Sequence, residues 1–180
     1  KNLKVGDPAD PTTHVGALIN KNHFDKVMGY IALGKEQGAE LISGGNQVKV
    51  PGCEGGYFVE PTIFASAKDE VRIVEEEIFG PVMSILTFTE EEDVLQRANN
   101  TPFGLAAGVY TNDLRRAHRM VAKLHAGICW VNTFNITPVE IPFGGYKQSG
   151  IGRENGLAAI EHYSQLKTVY IAMKDLGNPF

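Results

Sequence analysis

Apolar residues recur at helical spacing over residues 21–37, where Phe24, Val27, Met28, Ile31 and Ala32 share one face. Asn20 stands in an N-cap position and Gly38 in a C′ position, so the pattern predicts an amphipathic helix. Leu41 and Ile42 predict a short strand halted by Gly44-Gly45. A Gly-rich surface loop through Cys53 then leads to an extended stretch over 57–64. The run Val82-Met83-Ser84-Ile85-Leu86 predicts a buried strand within 81–88. Thr89, with Glu92 three residues on, forms a capping-box signature that opens a helix through Asn99. The same alternation then repeats. Residues 105–110 read as a strand, 113–124 as a helix with Leu114, Ala117, Val121 and Leu124 on one face, and 127–132 as an apolar strand. Short strand–helix–strand connections imply right-handed crossovers and a mainly parallel sheet with helices on both faces, an α/β fold.

Residues 133–152 are rich in Gly and Pro and too long for a plain connection, which marks the stretch as a functional loop. A short helix over 154–162 and a last strand over 166–173 close the chain. In that strand Leu166, Thr168, Tyr170 and Ala172 alternate with Lys167, Val169, Ile171 and Met173, so both faces carry apolar groups and both need cover. The strand pairs either within its own chain or with a neighbouring subunit.

Composition narrows the function. With 180 residues, 43% hydrophobic and 21% charged, the chain can bury a core without disulfides or metal clips. The 17 Lys and Arg are scattered and the net charge is -4, which argues against a nucleic-acid binder. No uncharged apolar run reaches the roughly 18 residues that cross a bilayer, and no signal-peptide segment follows Lys1-Asn2-Leu3-Lys4, so a soluble cytoplasmic protein is expected. Cys53 and Cys129 lie in no metal-ligand or disulfide spacing and read as reduced thiols. The first residue is Lys, which fits a processed product or a piece of a longer protein.

The cluster Gly144-Gly145-Tyr146-Lys147-Gln148-Ser149-Gly150-Ile151-Gly152 invites a phosphate-loop reading, but it lacks the Walker order and does not complete a dinucleotide spacing after a strand. A tightly turned loop that needs positive φ and close backbone approach explains it better. Four segments carry a resemblance instead: Glu76-Glu77-Ile78-Phe79-Gly80-Pro81-Val82, then Asn99-Asn100-Thr101-Pro102-Phe103-Gly104-Leu105-Ala106-Ala107-Gly108, then Pro142-Phe143-Gly144-Gly145-Tyr146-Lys147, and Ser149-Gly150-Ile151-Gly152-Arg153-Glu154. In order and spacing they resemble the aldehyde dehydrogenases, over essentially the whole chain and over only the C-terminal portion of that family.

The resemblance implies that residues 1–165 are part of a catalytic domain and residues 166–180 an oligomerisation strand and tail, in a dimer or tetramer. In that family a cysteine thiolate attacks the aldehyde, hydride passes from the thiohemiacetal to NAD, and a glutamate activates water to hydrolyse the thioester. Both groups precede the matched portion, and neither Cys53 nor Cys129 falls in a matching motif. Glu77 aligns with the carboxylate that accepts from the two nicotinamide-ribose hydroxyls, although the run Glu75-Glu76-Glu77 also reads as a solvated acidic face. Phe79 aligns with an aromatic near the nicotinamide, and alone reads as plain core; His23 and Lys26 match positions near the ribose, and alone read as surface.

Phe134 and Phe143 fall where the family builds its substrate tunnel. The segment Ile128-Cys129-Trp130-Val131-Asn132-Thr133 and the run 149–156 resemble the betaine-aldehyde group of the family, whose trimethylammonium substrate suits an aromatic face. Thr137-Pro138-Val139-Glu140 and Ser164-Gln165-Leu166-Lys167-Thr168-Val169 also resemble the 4-trimethylaminobutyraldehyde group. Glu154 matches a proton-relay carboxylate, and equally suits the first turn of a helix. The carbonyls of Lys147 and Gly150 match a potassium site at a subunit boundary.

Overall fold

The computed structural model describes residues 2–65, 68–174 and 177. Helix α1 spans Lys21–Glu36, strand β1 Glu40–Ser43, β2 Gln47–Val48, β3 Phe58–Val59 and β4 Thr62–Ala65. Helix α2 follows at Arg72–Glu75, strand β5 at Val82–Ile85 and helix α3 at Glu91–Asn99. Strand β6 is Ala106–Val109, helix α4 Leu114–Lys123 and strand β7 Ile128–Val131, with 3-10 turns at Lys147–Ser149 and Leu157–His162. The fold class is α/β, and the chain divides into two compact units, Lys1–Val94 and Leu95–Phe180.

In the first unit, α1 starts where Asn20 Oδ1 accepts from the His23 backbone N–H at 2.9 Å, and ends beside Gly38 at φ +84°. Its buried face is Val27, Ile31 and Gly34, with Phe24 and Met28 packed against the same core, whereas Ala32 is exposed. Val27 and Ile31 join Ala39, Val59, Phe64, Val71, Ile73 and Ile78 in that core, and each large aliphatic so buried contributes roughly 1.5–3 kcal/mol. The sheet order is β1-β4-β5, with β1 antiparallel to β4 and β5 parallel to β4. Buried Thr62 is satisfied on both sides: its hydroxyl donates to Glu60 O at 2.8 Å and accepts from Gly45 N–H at 2.9 Å. Strand β5 differs from expectation. As an edge strand of this sheet it leaves Met83 and Ile85 exposed, because period-two alternation turns them to the uncovered face.

The second unit is built on the β6–α4–β7 crossover, with β6 and β7 parallel. Asp113 caps α4 by accepting from Arg116 N–H at 3.1 Å. Ala117 is buried and Val121 and Leu124 half-buried, while Leu114, in the first turn, stays exposed. Three sequence-distant segments meet at Gly104: its carbonyl accepts from Gly127 N–H at 2.9 Å and Tyr146 N–H at 2.8 Å, and its N–H donates to Ser149 Oγ at 2.9 Å. Gly127 is needed for that meeting, since a Cβ there would lie 1.7 Å from Gly144 O. Within the long loop a Cβ on Gly144 would meet Gly152 O at 2.5 Å and one on Gly145 would meet Ser149 Cβ at 2.6 Å, while Gly150 and Gly152 hold positive φ.

Residues 164–174 form no ladder among the described residues, and Leu166, Val169, Tyr170, Ile171 and Met173 are exposed. The expected last strand has no partner strand among the described residues, so it lacks the pairing that defines a sheet. Residues 175, 176 and 178–180 of the expected tail lie outside the described residues. No helix among the described residues is long and apolar enough to cross a membrane.

Candidate functional site

The residues singled out by sequence fall into two groups, one in each unit. His23, Lys26, Glu77 and Phe79 belong to the first unit. His23 and Lys26 sit on one face of α1, three residues apart, beside buried Val27. His23 Nε2 lies 2.6 Å from Phe79 O, and because a carbonyl only accepts, Nε2 is the protonated nitrogen. Lys26 Nζ donates to Glu77 O at 3.0 Å. Phe79 holds a left-handed backbone, φ +57°, which costs a bulky residue about 1–2 kcal/mol, and its ring is 77% exposed. The His23 ring meets it edge-on with centroids 6.3 Å apart.

The three neighbouring glutamates have separate environments. Glu76 turns back onto α2 and α1, accepting from Arg72 Nε at 2.6 Å, Arg72 Nη2 at 2.9 Å and Tyr30 Oη at 2.5 Å. The Arg72 guanidinium, and then the Tyr30 hydroxyl, hold its carboxyl down at a pKa of about 2, and the same contact raises the Tyr30 phenol. Glu77 is exposed, and its carboxylate has no hydrogen bond or ion pair among the described residues. The acidic run is therefore not uniform: Glu76 is tethered, whereas Glu75 and Glu77 are exposed.

In the second unit, Phe134 is 61% exposed and packs edge-on against Trp130 at a centroid distance of 5.0 Å. Trp130 is itself fixed by Nε1 donating to Ile136 O at 2.8 Å, so a buried indole on β7 sets where the exposed ring stands. Phe143 and Glu154 form an antiparallel bridge, with backbone N–H to O distances of 2.7 and 2.8 Å. The Glu154 carboxylate is exposed and is approached by Tyr163 Oη at 3.4 Å. Lys147, at φ +53°, extends its ammonium to Asn99 O at 2.7 Å and Thr101 O at 3.0 Å. Burial raises the Cys129 thiol pKa, which favours an inert thiol.

Sequence reasoning missed Asn99 and Arg153. The Asn99 side chain donates to Lys123 O at 2.8 Å and accepts from His125 N–H at 2.8 Å, joining the C-terminal ends of α3 and α4. Arg153 Nη1 donates to Gly145 O at 3.0 Å and Gly152 O at 2.7 Å, with its guanidinium 5.3 Å from the Tyr146 ring centroid. Asn99 opens one quoted motif and Arg153 stands in another, but nothing in the order of residues points to their partners. Among the described residues no cluster of His, Cys, Asp and Glu could hold a metal.

Comparison with known proteins identifies the family and the fold. The model of the Aldehyde dehydrogenase family matches residues 1–169. The betaine aldehyde dehydrogenase of Mesorhizobium japonicum is 57% identical over 180 residues, which are 100% of this chain and 37% of that protein. The betaine aldehyde dehydrogenase of Brucella anthropi is 54% identical with the same coverage. The chain thus spans 37% of the length of these relatives. Among solved structures, the NAD+ complex of an aldehyde dehydrogenase from Bacillus cereus superposes with a TM-score of 0.91 at 44% identity, over 96% of this chain and 34% of that one. The Mycobacterium tuberculosis aldehyde dehydrogenase complexed with NAD+ does so at 0.89 and 40%, over 97% and 36%.

Proposed function

The chain belongs to the aldehyde dehydrogenase family, and from that premise we propose that it works as the C-terminal part of a longer NAD-dependent enzyme that oxidises an aldehyde to the carboxylic acid. The observation that carries this reading is the Glu77–Phe79 segment: an unengaged carboxylate beside an exposed ring, on a backbone tied down at both carbonyls. These residues fit a nicotinamide riboside. NAD, when bound, supplies the hydride acceptor. Glu77 would accept from both ribose hydroxyls and Phe79 would pack beside the nicotinamide, with His23 and Lys26 holding the backbone of that segment. The nucleophilic cysteine and the general base belong to the rest of the protein.

On the substrate side, Phe134 and Phe143 line the approach of the aldehyde, and their faces attract a trimethylammonium group by roughly 0.5–2 kcal/mol. Betaine aldehyde is the proposed substrate, supported by the relatives at 57% and 54% identity. Glu154 holds a proton in the relay that serves the general base. Potassium at the carbonyls of Lys147 and Gly150 is a weaker fit, since two carbonyl oxygens replace only part of the ion's hydration shell. Those residues alone do not complete a site, and no step passes through it. The proposal takes the intact protein to be a cytoplasmic homo-oligomer.

The second reading is a folded assembly module without turnover, and the exposed apolar side chains of 166–173 favour it. One experiment separates the two: NADH formation from betaine aldehyde, 4-trimethylaminobutyraldehyde and a neutral aldehyde, by the full-length protein and by this chain alone. The expected result is turnover by the full-length protein, fastest with betaine aldehyde, and none by the chain alone. Absence of turnover in both leaves the assembly reading, and a preference for the neutral aldehyde removes the cation–π assignment.

A further inference from the structure

The conformation of Phe79 needs a cause. A bulky aromatic at φ +57° is strained, so the surroundings must over-determine it. Three contacts from α1 do so. Val27 packs so closely under the next residue that a Cβ on Gly80 would meet its Cγ2 at 2.7 Å. Lys26 draws in Glu77 O at 3.0 Å, and His23 Nε2 closes on Phe79 O at 2.6 Å. His23 is itself oriented locally, because its backbone N–H is the one that Asn20 Oδ1 accepts at the start of α1. Residues 23, 26 and 27 thus form one helical face that grips the 77–80 backbone by two carbonyls and one close approach.

We infer that His23 is a positioning residue, acting on the cofactor through the Phe79 peptide by locking its left-handed conformation and aiming the ring, and not through a contact of its own with the ribose. The inference rests on the assignment of Phe79 to the nicotinamide. Neutral His23 spends its one ring N–H on the carbonyl, which leaves Nδ1 a lone pair and no donor for a ribose oxygen, while in the proposed reading the ribose hydroxyls donate to the Glu77 carboxylate. Lys26 is its companion, with one of its three N–H groups on Glu77 O. Release of the Phe79 carbonyl lets that residue relax toward the β region and swings the ring off its bearing, while Glu77 keeps its carboxylate free for the ribose.

The test uses the full-length protein with NAD, reading NAD affinity by nucleotide titration and hydride transfer by single-turnover kinetics. His23→Ala is expected to slow hydride transfer about tenfold, well inside the roughly hundredfold that a 1 Å misplacement can cost, and to change NAD affinity by less than about twofold. His23→Gln, which restores an N–H donor, is expected to recover most of the rate. The deciding step is a double-mutant cycle with Phe79→Gly, which removes both the ring and the strain. In that background His23→Ala is expected to cost less than about twofold more, because the group it positions is gone. An equal tenfold loss in both backgrounds, or a loss carried by NAD affinity, overturns the inference in favour of direct contact. Glu77→Gln run alongside tells the readings apart: an unchanged rate there removes the ribose clamp and leaves the His23–Phe79 coupling standing. A full-length wild type without NAD-dependent turnover overturns both.

Discussion

Carboxylates one residue apart have opposite fates here, and the cause is side-chain reach. Glu76 lies four residues after Arg72, within reach of a bidentate fork, and meets Tyr30 as well, so it is a structural tie. The Glu77 carboxylate is exposed and makes no hydrogen bond or ion pair among the described residues, which is what the proposed ribose clamp requires. Substituting Glu77 by Gln in the full-length enzyme is expected to slow hydride transfer about tenfold with a smaller effect on NAD affinity, since a clamp chiefly sets orientation. Single-turnover rates equal to wild type would reduce Glu77 to a surface acid. Glu76 is testable by pH. Its folded pKa of about 2 lies below the ordinary 4.5, so the tie contributes fully above 4.5 and is lost as pH falls toward about 2. The unfolding free-energy difference between wild type and Glu76→Gln is therefore expected at neutral pH and should shrink through that window. A difference that persists below pH 2 would mean that the carboxylate charge is not what ties α2 to Tyr30.

Among elements, the second unit is held at two joints. One is Asn99, whose side chain bridges α3 to the C-terminal end of α4, and whose carbonyl receives Lys147. The other is the backbone crossing at Gly104, Gly127 and Gly144. Gly127→Ala forces a Cβ into Gly144 O and is expected to destabilise by about 3 kcal/mol, the upper end for overpacking, because the clash is with backbone and cannot be relieved by a rotamer. Gly55→Ala, where a Cβ meets nothing within 4 Å, is the control and is expected to change stability by no more than about 0.5 kcal/mol. Urea unfolding of both variants decides; equal midpoints would show that the crossing opens without cost. Asn99→Ala loses two exposed side-chain hydrogen bonds, with an expected loss of about 1 kcal/mol in the same assay.

At the scale of the whole molecule, the chain is two compact units, and residues 164–174 of the second form no ladder among the described residues. Val169, Ile171 and Met173 are exposed, and covering each would contribute roughly 1.5–3 kcal/mol. That is the demand an edge strand of a partner subunit would meet. Deleting residues 166–180 from the full-length protein is expected to lower the oligomer mass measured by light scattering. A truncated protein with the same mass and solubility would show that the segment pairs within its own chain.

Local pattern by itself determined α1, α3 and α4, the strand–helix–strand alternation and the family, because spacing, caps and motif order are properties of neighbouring residues, whereas the one-turn helix α2 is too short to show a period. Asn20 and the apolar spacing located α1 to within a residue, and the period of α4 identified Ala117, Val121 and Leu124. The tertiary structure decided everything that depends on what lies opposite. Met83 and Ile85 read as buried and are exposed in this chain, where β5 pairs only with β4 among the described residues, because apolar content does not reveal which side of a strand is covered. The run Glu75-Glu76-Glu77 reads as uniform and is not, because Arg72 and Tyr30 reach only one of its members. His23 and Phe79 are 56 residues apart, and their contact exists only once α1 lies against the segment that follows α2. Sequence carries the chemistry of each group, and packing assigns the partner.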